Sequence, residues 1–223
     1  MSFQFYAAVR MLIAVSAISG STGASLAGAQ VIDGDTLRIG DTTFRLHGID
    51  APEAGQTCQD ASGGSWRCGD EATRHLEELI GSQIPVCEPH GIDDYDRVLA
   101  VCVVAGVQIN RSMVRDGYAW AFRRYSEDYG PDEDVAAANG IHIWQATTQS
   151  PWDYRAAKWD VALQQAPNGC PIKGNISDNG HIYHAPWSPW YARTKVSVER
   201  GERWFCSERE AIDAGWRAPI WGN

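Results

Sequence analysis

Five charged side chains interrupt apolar segments in the first hundred residues of the chain. One of them ends the Asp-Gly-Asp break inside the strand-like stretch VIDGDTLRIG, and another lies within TTFRL. Two more belong to the loop GIDAPE, and the last begins the apolar run RVLAV. A charge within a core-like strand is costly unless it is paired or binds a metal. We therefore expect these five residues to form one site: Asp35, Arg45, Asp50, Glu53 and Arg97.

The residue types suit hydrolysis of a phosphodiester. Two carboxylates, a backbone carbonyl and waters make an oxygen shell for a hard cation such as Ca²⁺. A third carboxylate can orient or deprotonate the attacking water. Two guanidinium groups can bind phosphate oxygens and stabilise the extra charge of the transition state. The alternative is structural: a plain Asp-Gly-Asp turn and two arginines in ordinary ion pairs.

The surrounding patterns predict a small mixed domain, mainly β with α (α+β). Residues 30–46 alternate as strand, break, strand, turn and strand. Helical spacing follows in GDEATRHLEELIG and VQINRSMVRDGYA, and EDVAAANG is acidic at its start, as a helix N-terminus prefers. Several short strands with a few helices indicate a small barrel with helical cover. Gly34 would permit a bulge or tight bend that turns Asp35 out of the core and toward Asp50.

Four segments occur in the order typical of the staphylococcal nuclease (thermonuclease) family: VIDGDTLRI, FRLHGIDAPE, DDYDRVLAV and MVRDGYAWA. The chain resembles that family over roughly residues 30–155. The resemblance implies a five-stranded OB-fold barrel with about three helices. It also implies a Ca²⁺-dependent nuclease that cleaves DNA and RNA and leaves 3′-phosphate ends.

The resemblance assigns a role to each acidic residue of the expected site. Asp35 and Asp50 match the calcium carboxylates of the family. Ala51 stands where the staphylococcal enzyme has a threonine, and it keeps the backbone carbonyl that serves as a metal ligand. Glu53 matches the glutamate that orients the attacking water.

The remaining carried-over residues would contact the substrate. Arg45 and Arg97 match the phosphate-binding arginines, while Tyr95 and Tyr125 match tyrosines near the nucleotide. One departure bears on activity: Asp96 stands where the family often has glycine. A carboxylate there would change the loop or place a negative charge near the phosphate.

The net charge of the chain argues against a broad electrostatic nucleic-acid surface. It is −9 overall, and removal of residues 1–29, which contain one basic residue, leaves 18 basic and 28 acidic residues, or −10. A polyanion would have to be attracted locally. The charge favours a second hypothesis, a non-catalytic OB-fold module that binds nucleic acid or another polyanion. A third is carbohydrate processing by paired carboxylates with tryptophan platforms.

Residues 1–29 predict a secretory signal peptide. A short apolar run leads into small residues that end in Ala27-Gly28-Ala29, a small-x-small cleavage pattern. The run is shorter than the roughly 20 residues that a membrane span requires. We expect a secreted or periplasmic protein with no stable membrane insertion after cleavage; the sequence indicates no protein partner.

The six cysteines are consistent with an oxidising compartment. Their spacing favours three disulfides between neighbours, with free thiols as the alternative. A zinc site formed by the last two cysteines with His181 and His184 is a further, weaker alternative. The favoured pairs are Cys58 with Cys68, Cys87 with Cys102, and Cys170 with Cys206.

A composition change near QQAPNGCP predicts two units after the signal peptide, residues 30–163 and residues 164–223. The second unit holds five of the ten tryptophans and resembles a small module attached to some secreted bacterial thermonuclease-like proteins. So short a unit cannot bury a large core, so a disulfide would stabilise it. Its WSPWY segment has flat indoles that could stack on sugars or unpaired bases; alternatively, these aromatic residues form the core of the module.

Overall fold

The computed structural model describes residues 28–219, so the predicted signal peptide lies almost entirely outside the described residues. Within residues 28–219, no helix is both long and apolar enough to cross a membrane.

The strands are β1 Gln30–Asp33, β2 Thr36–Ile39, β3 Thr42–Leu46, β4 Ile49–Asp50, β5 Cys58–Gln59, β6 Ser65–Trp66, β7 Val86–Ile92, β8 Val98–Val104, β9 Val107–Gln108, β10 Trp120–Ala121, β11 Ile172–Ser177, β12 Gly180–His184 and β13 Arg203–Phe205. The helices are α1 Cys68–Ile80, α2 Ile109–Arg115, α3 Gly130–Ala138, α4 Pro151–Gln165 and α5 Glu208–Asp213.

The predicted α+β class is confirmed. The main sheet has six strands in the order β1-β2-β3-β8-β7, with β9 paired to β8, and the pairing of β3 with β8 is parallel. Its hydrogen-bond ladder does not close into a ring, because β1 and β7 remain edge strands. A separate pair, β4 with β10, lies at one end of the loop that carries Asp50 and Glu53, residues 50–56, which is called the site loop below.

The core lies between this sheet and helices α1 and α2. Ala72, Leu76 and Ile80 recur on one face of α1 and are almost fully buried against Leu37 and Met113. The sequence indicated this helical spacing. Burial of each large aliphatic side chain stabilises the fold by roughly 1.5–3 kcal/mol. The rigid face of α1 supports the loops that carry the charged residues.

A buried asparagine fixes the corner that leads into the site loop. The Asn110 amide donates to the carbonyls of His47 and Ala100 at 3.0 Å each, and its side-chain oxygen accepts from the Cys102 backbone N–H at 3.0 Å. A buried polar group of this kind is stable because its hydrogen bonds are made. Asn110 thereby ties the start of α2 to the chain just ahead of β4.

The Asp-Gly-Asp break is a hairpin. Asp33 pairs with Thr36, and Gly34 and Asp35 form the two-residue turn between β1 and β2. The Asp33 carboxylate accepts from the Asp35 N–H at 3.1 Å and so stabilises the turn. A side chain at Gly34 would lie 2.8 Å from Ala51 Cβ and 2.9 Å from Ala72 Cβ. The glycine is therefore required by close approach of the site loop and α1.

Substitution Gly34→Ala should destabilise the fold by about 1–3 kcal/mol, because the added methyl overpacks a filled contact. Urea unfolding measures the loss. In a double variant with Ala72→Gly, which removes one of the two contacted methyls, the losses should be less than additive. Strict additivity would show that the close approach is not the cause.

All three disulfides join the predicted partners. The Cα–Cα distances are 5.7 Å for Cys58–Cys68, 4.0 Å for Cys87–Cys102 and 3.9 Å for Cys170–Cys206. The free-thiol alternative is wrong for these six residues. The zinc alternative is wrong as well, because its two cysteines are bonded to each other.

The C-terminal module, residues 166–219, has a small core of its own. Strands β12, β11 and β13 form its sheet, and α5 packs on that sheet. Trp216, which lies outside the WSPWY segment, is buried beside Phe205, whereas Trp187 and Trp190 of that segment are half-buried. The role of the WSPWY indoles in stacking on sugars or unpaired bases stays a prediction.

One histidine makes the stability of the module depend on pH. The His184 ring lies between Asn175 Oδ1 at 2.9 Å and Ser188 Oγ at 3.3 Å. Burial, assisted by the positive charges of Arg193 and Lys173, lowers its pKa from 6.5 to about 4. The folded module therefore excludes a proton that the unfolded chain takes up.

We expect the free energy of unfolding to fall as pH decreases from 6.5 toward 4, because the unfolded state binds more protons in that window. The loss should be about 1–2 kcal/mol after solvent screening. Urea unfolding followed by tryptophan fluorescence at several pH values measures it. His184→Gln should flatten the slope, and His181→Gln, on the exposed side of the same strand, should leave it unchanged. Equal slopes in all three proteins would contradict this origin.

Candidate active site

Two buried carboxylates converge on one guanidinium group. Arg45, on β3, donates from Nη1 to Asp35 Oδ1 at 2.5 Å and from Nη2 to Asp50 Oδ1 at 2.8 Å. Asp35 and Asp50 are 3% and 0% exposed, so both depend on this partner. The Ala51 N–H donates to Asp35 Oδ2 at 3.0 Å, which joins the hairpin turn to the site loop. The structure thus brings together residues from three separate segments.

The third carboxylate, Glu53, lies in the same cluster through a second guanidinium. Arg155, on α4, donates from Nη1 to Glu53 Oε1 at 2.5 Å and from Nη2 to Asp50 Oδ2 at 2.7 Å. Asp50 therefore lies between two arginines. Sequence reasoning missed Arg155, which is about a hundred residues away along the chain in a helix without a clear apolar stripe. No local pattern distinguishes it from a solvent-exposed arginine.

The backbone around Glu53 is held by a buried glutamine. The Glu53 N–H donates to Gln56 Oε1 at 3.1 Å, and the Gln56 N–H donates to the Glu53 carbonyl at 2.7 Å. Gln56 Nε2 also donates to the Gln149 carbonyl at 2.8 Å, just ahead of α4. A Cβ at Gly69 would overlap the Glu53 carbonyl oxygen at 1.8 Å. The loop is therefore positioned by both α1 and the segment that leads to Arg155.

Burial dominates the electrostatics of the cluster. It raises the pKa of Asp35, against the opposing effect of Arg45. It also raises the pKa of Glu53 to about 8, although the charge of Arg155 acts in the opposite direction. Burial alone would lower the pKa of Arg45, but Asp35 and Asp50 outweigh it and raise that pKa. Three carboxylates and two guanidinium groups form the cluster, and burial makes Asp35 and Glu53 costly to ionise.

Arg97 lies at the mouth of the same cleft and is not bonded to the three carboxylates. Its Nε and Nη2 atoms each lie 2.7 Å from Asp93 Oδ2, and its guanidinium carbon is 5.1 Å from the Tyr95 ring centroid. The Asp93 carboxylate also accepts from the backbone N–H groups of Tyr95 and Arg97. These hydrogen bonds fix the conformation of the turn and hold Arg97 in place, while part of the Arg97 side chain is exposed to solvent.

Asp96 adopts the backbone conformation that glycine favours. Its φ is 60°, in the left-handed region. The carboxylate points to the C-terminal module, where Arg209 Nη1 lies 3.2 Å from Asp96 Oδ1. The departure from the family pattern therefore supplies an ion pair between the two units.

The two predicted substrate-binding tyrosines line the cleft. Tyr95 is 39% exposed and Tyr125 is 62% exposed, and the Tyr125 ring contacts Phe122 with centroids 4.9 Å apart. The cleft has a volume of about 1280 Å³ and is lined by the carboxylate cluster on one side and by the module on the other. Among residues 28–219, no group of three or more His, Cys, Asp or Glu side chains is arranged to hold a metal.

Known protein families cover most of the described residues. Residues 43–146 match the family described as Staphylococcal nuclease homologue, and residues 154–218 match the family named ArfC. Over the first of these regions the chain is similar to the staphylococcal nuclease-like family. The second match begins inside α4 at the residue before Arg155.

Several named proteins are similar to this chain over half of its length or more. The succinoglycan biosynthesis protein ExoI of Rhizobium meliloti is 36% identical over 123 residues, which are 53% of this chain and 63% of that protein. An uncharacterized endonuclease of Haemophilus influenzae is 34% identical over 122 residues, or 52% of this chain and 63% of that protein. A micrococcal nuclease of Shigella flexneri is 29% identical over 170 residues, 68% of this chain and 90% of that protein. The chain thus spans a little under two thirds of the length of the first two.

Arg155→Ala should lower the free energy of unfolding by about 1–3 kcal/mol, because it leaves Asp50 and Glu53 short of a cation in a buried cluster. Thermal or urea unfolding measures the loss. Lys158→Ala, one turn further along α4 on its exposed side, is the matched control and should change stability by less than about 0.5 kcal/mol. Equal effects of the two substitutions would show that the Arg155 ion pairs contribute no net stability.

Proposed function

We propose that the protein hydrolyses phosphodiester bonds of DNA and RNA with the aid of Ca²⁺. The observation that carries this proposal is the convergence of Asp35 and Asp50 on one point, with Glu53 beside them in an open cleft. Similarity to the staphylococcal nuclease-like family, including a protein named micrococcal nuclease, supports it. The acidic residues come from two neighbouring segments, the hairpin turn and the loop after β4, and a binding module would have no use for the third carboxylate, Glu53.

The donor set fits a hard divalent cation. Asp35 and Asp50 present carboxylate oxygens toward one shared centre of positive charge, the Arg45 guanidinium. Calcium accepts oxygen ligands of this kind, and a backbone carbonyl such as that of Ala51 can complete the set with waters. When bound, such a cation offsets the charge of the phosphate and polarises it.

The side chains supply the remaining chemistry. Glu53 takes a proton from water as the water oxygen bonds to phosphorus. The bond from phosphorus to the 5′ oxygen breaks, and that oxygen takes a proton from solvent to leave as a hydroxyl, so the phosphate stays on the 3′ side. Glu53 then releases the proton it accepted to solvent, which restores the balance. Arg45 and Arg97 donate hydrogen bonds to the phosphate oxygens, whose negative charge increases in the transition state.

A non-catalytic nucleic-acid or polyanion binder is the second candidate, and one observation favours it. Arg155 already binds Asp50 and Glu53, the residues that would otherwise serve the metal and the water. A cluster held in that state would bind phosphate through its arginines without turnover. Binding that does not lead to cleavage at any Ca²⁺ concentration would select this candidate.

The proposal includes export to the periplasm or the medium. The three disulfides support an oxidising compartment, and residues 1–29 would be removed as a signal peptide. The mature chain would then consist of the nuclease unit, residues 30–163, and the C-terminal unit, residues 164–223. N-terminal sequencing of the exported protein tests the cleavage site directly.

Single-stranded DNA should be degraded with added Ca²⁺ and spared with a chelator. Glu53→Gln should slow cleavage by about 10²–10⁴-fold because it removes the base, and Arg97→Ala by about 10²-fold or more because it removes a phosphate donor. Initial rates on a fluorescent oligonucleotide measure both.

The matched controls are Glu77→Gln and Arg115→Ala, which change exposed side chains on α1 and α2. Both should retain wild-type rates. Thermal unfolding of all four variants separates lost chemistry from lost folding. Wild-type rates in folded Glu53→Gln would rule out the assignment of the base.

A further inference from the structure

The cleft has two walls of similar character, and each comes from a different unit. The nuclease side presents Tyr95, Phe122 and Tyr125, and the side formed by α4 and the module presents Trp159 and Trp187. Trp159 and Trp187 lie with ring centroids 6.2 Å apart, and both are half-buried. Asp35 and Glu53 line the same cleft.

Specific contacts hold the walls in place. Arg209 of α5 pairs with Asp96 at the mouth of the cleft at 3.2 Å. A second contact is made by the site loop. Its backbone approaches the module closely, since a Cβ built on Gly55 would lie 3.1 Å from Pro189 Cβ. Tyr183 donates to Glu208 Oε2 at 3.0 Å, and this carboxylate lies in the field of Arg97. The module is therefore docked beside the site and completes the cleft.

The lining of the cleft favours one form of nucleic acid. The bases of an unpaired strand have free flat faces that stack on aromatic side chains, and aromatic residues of both units line this cleft. In a duplex those faces are stacked on one another, so a paired substrate would not gain these contacts.

Individual arginines offer contacts for the backbone of such a strand. Arg38, Arg45, Arg97, Arg155 and Arg217 line the cleft, together with eight carboxylates. The lining is therefore not basic overall, and an anionic strand would be held by direct contacts with these guanidinium groups. Arginines along a groove with aromatic side chains on both walls are the usual composition of a site for unpaired strands.

We propose that the C-terminal module forms the second wall of a site for an unpaired nucleic-acid strand, and that Trp187 stacks on a base of that strand. The inference rests on the proposed function, which supplies the cleavage of the bound strand. What it adds is which form of nucleic acid can reach the carboxylates. It assigns to the module the selection of single-stranded over double-stranded substrate.

Binding of a fluorescein-labelled 12-nucleotide DNA and of its duplex, measured by anisotropy in full-length Glu53→Gln protein, tests the proposal. The single strand should bind at least tenfold more tightly than the duplex. Adding Trp187→Ala should weaken single-strand binding about fivefold or more, because stacking on one indole contributes about 1 kcal/mol or more. Trp187→Phe should recover most of the affinity. Trp66→Ala, on the hairpin β5–β6 away from the cleft, is the matched control.

Kinetics of the otherwise wild-type protein give the second readout. Trp187→Ala should raise KM for the single strand and leave kcat close to the wild-type value. Asp96→Gly keeps the left-handed backbone, removes the ion pair with Arg209 and should raise the duplex rate relative to the single-strand rate. Thermal unfolding confirms that each variant is folded.

The outcomes separate the two proposals. Equal binding of both DNA forms, or single-strand affinity unchanged by Trp187→Ala, overturns the proposed role of the module as a second wall, even if Ca²⁺-dependent cleavage is found. Trp187-dependent binding without cleavage overturns the proposed function and leaves the wall as a binding site. A protein that neither binds nor cleaves overturns both.

Discussion

The structure depends on holding three carboxylates close together where little water reaches two of them. Asp50 has no exposed surface, Asp35 has almost none, and Glu53 is half-buried beside them. An isolated buried carboxylate would take up a proton or unfold its surroundings. Two guanidinium groups offset part of this cost because each binds two carboxylates at once, Arg45 through Asp35 and Asp50, and Arg155 through Asp50 and Glu53. The rest of the fold serves to bring these five side chains to one point.

That requirement explains where the backbone must pass close to itself. Gly34 lets the hairpin turn contact α1 and the site loop, and Gly69 lets α1 begin against the Glu53 carbonyl. Gln56 then satisfies backbone groups that the tight loop could not pair with a strand. Each of these residues is selected by geometry around the charges, so substitutions there act on the site through the fold. A loosely packed loop would leave the carboxylates free to separate and to recover their hydration.

The sequence predicted the parts of the site whose signals are local. A charge inside an apolar strand is visible at Arg45, and an acidic pair broken by glycine is visible at Asp35. Neighbouring cysteines indicated their own partners. Arg155 and the pair Asp96–Arg209 were not predictable, because their partners lie about a hundred residues away and nothing in their own segments is unusual. For Asp96 the sequence showed only that an aspartate replaces the family glycine. The structure shows that Asp96 keeps the left-handed backbone of a glycine, with a φ of 60°, and that its carboxylate pairs with Arg209.

The acidic charge of the chain limits how it could attract an anionic ligand. A net charge of −9 repels a polyanion at a distance, but screening limits that repulsion to about 8–10 Å at ordinary ionic strength. Inside the cleft five arginines and eight carboxylates share the lining, so a bound strand would be held by direct guanidinium contacts and base stacking. Under the proposed function, a strand would gain affinity only after its bases had left the duplex and entered between the walls. Local arginines on an acidic body therefore favour selectivity over rapid capture, and the dependence of affinity on salt should be shallower than for a protein with a broad basic face.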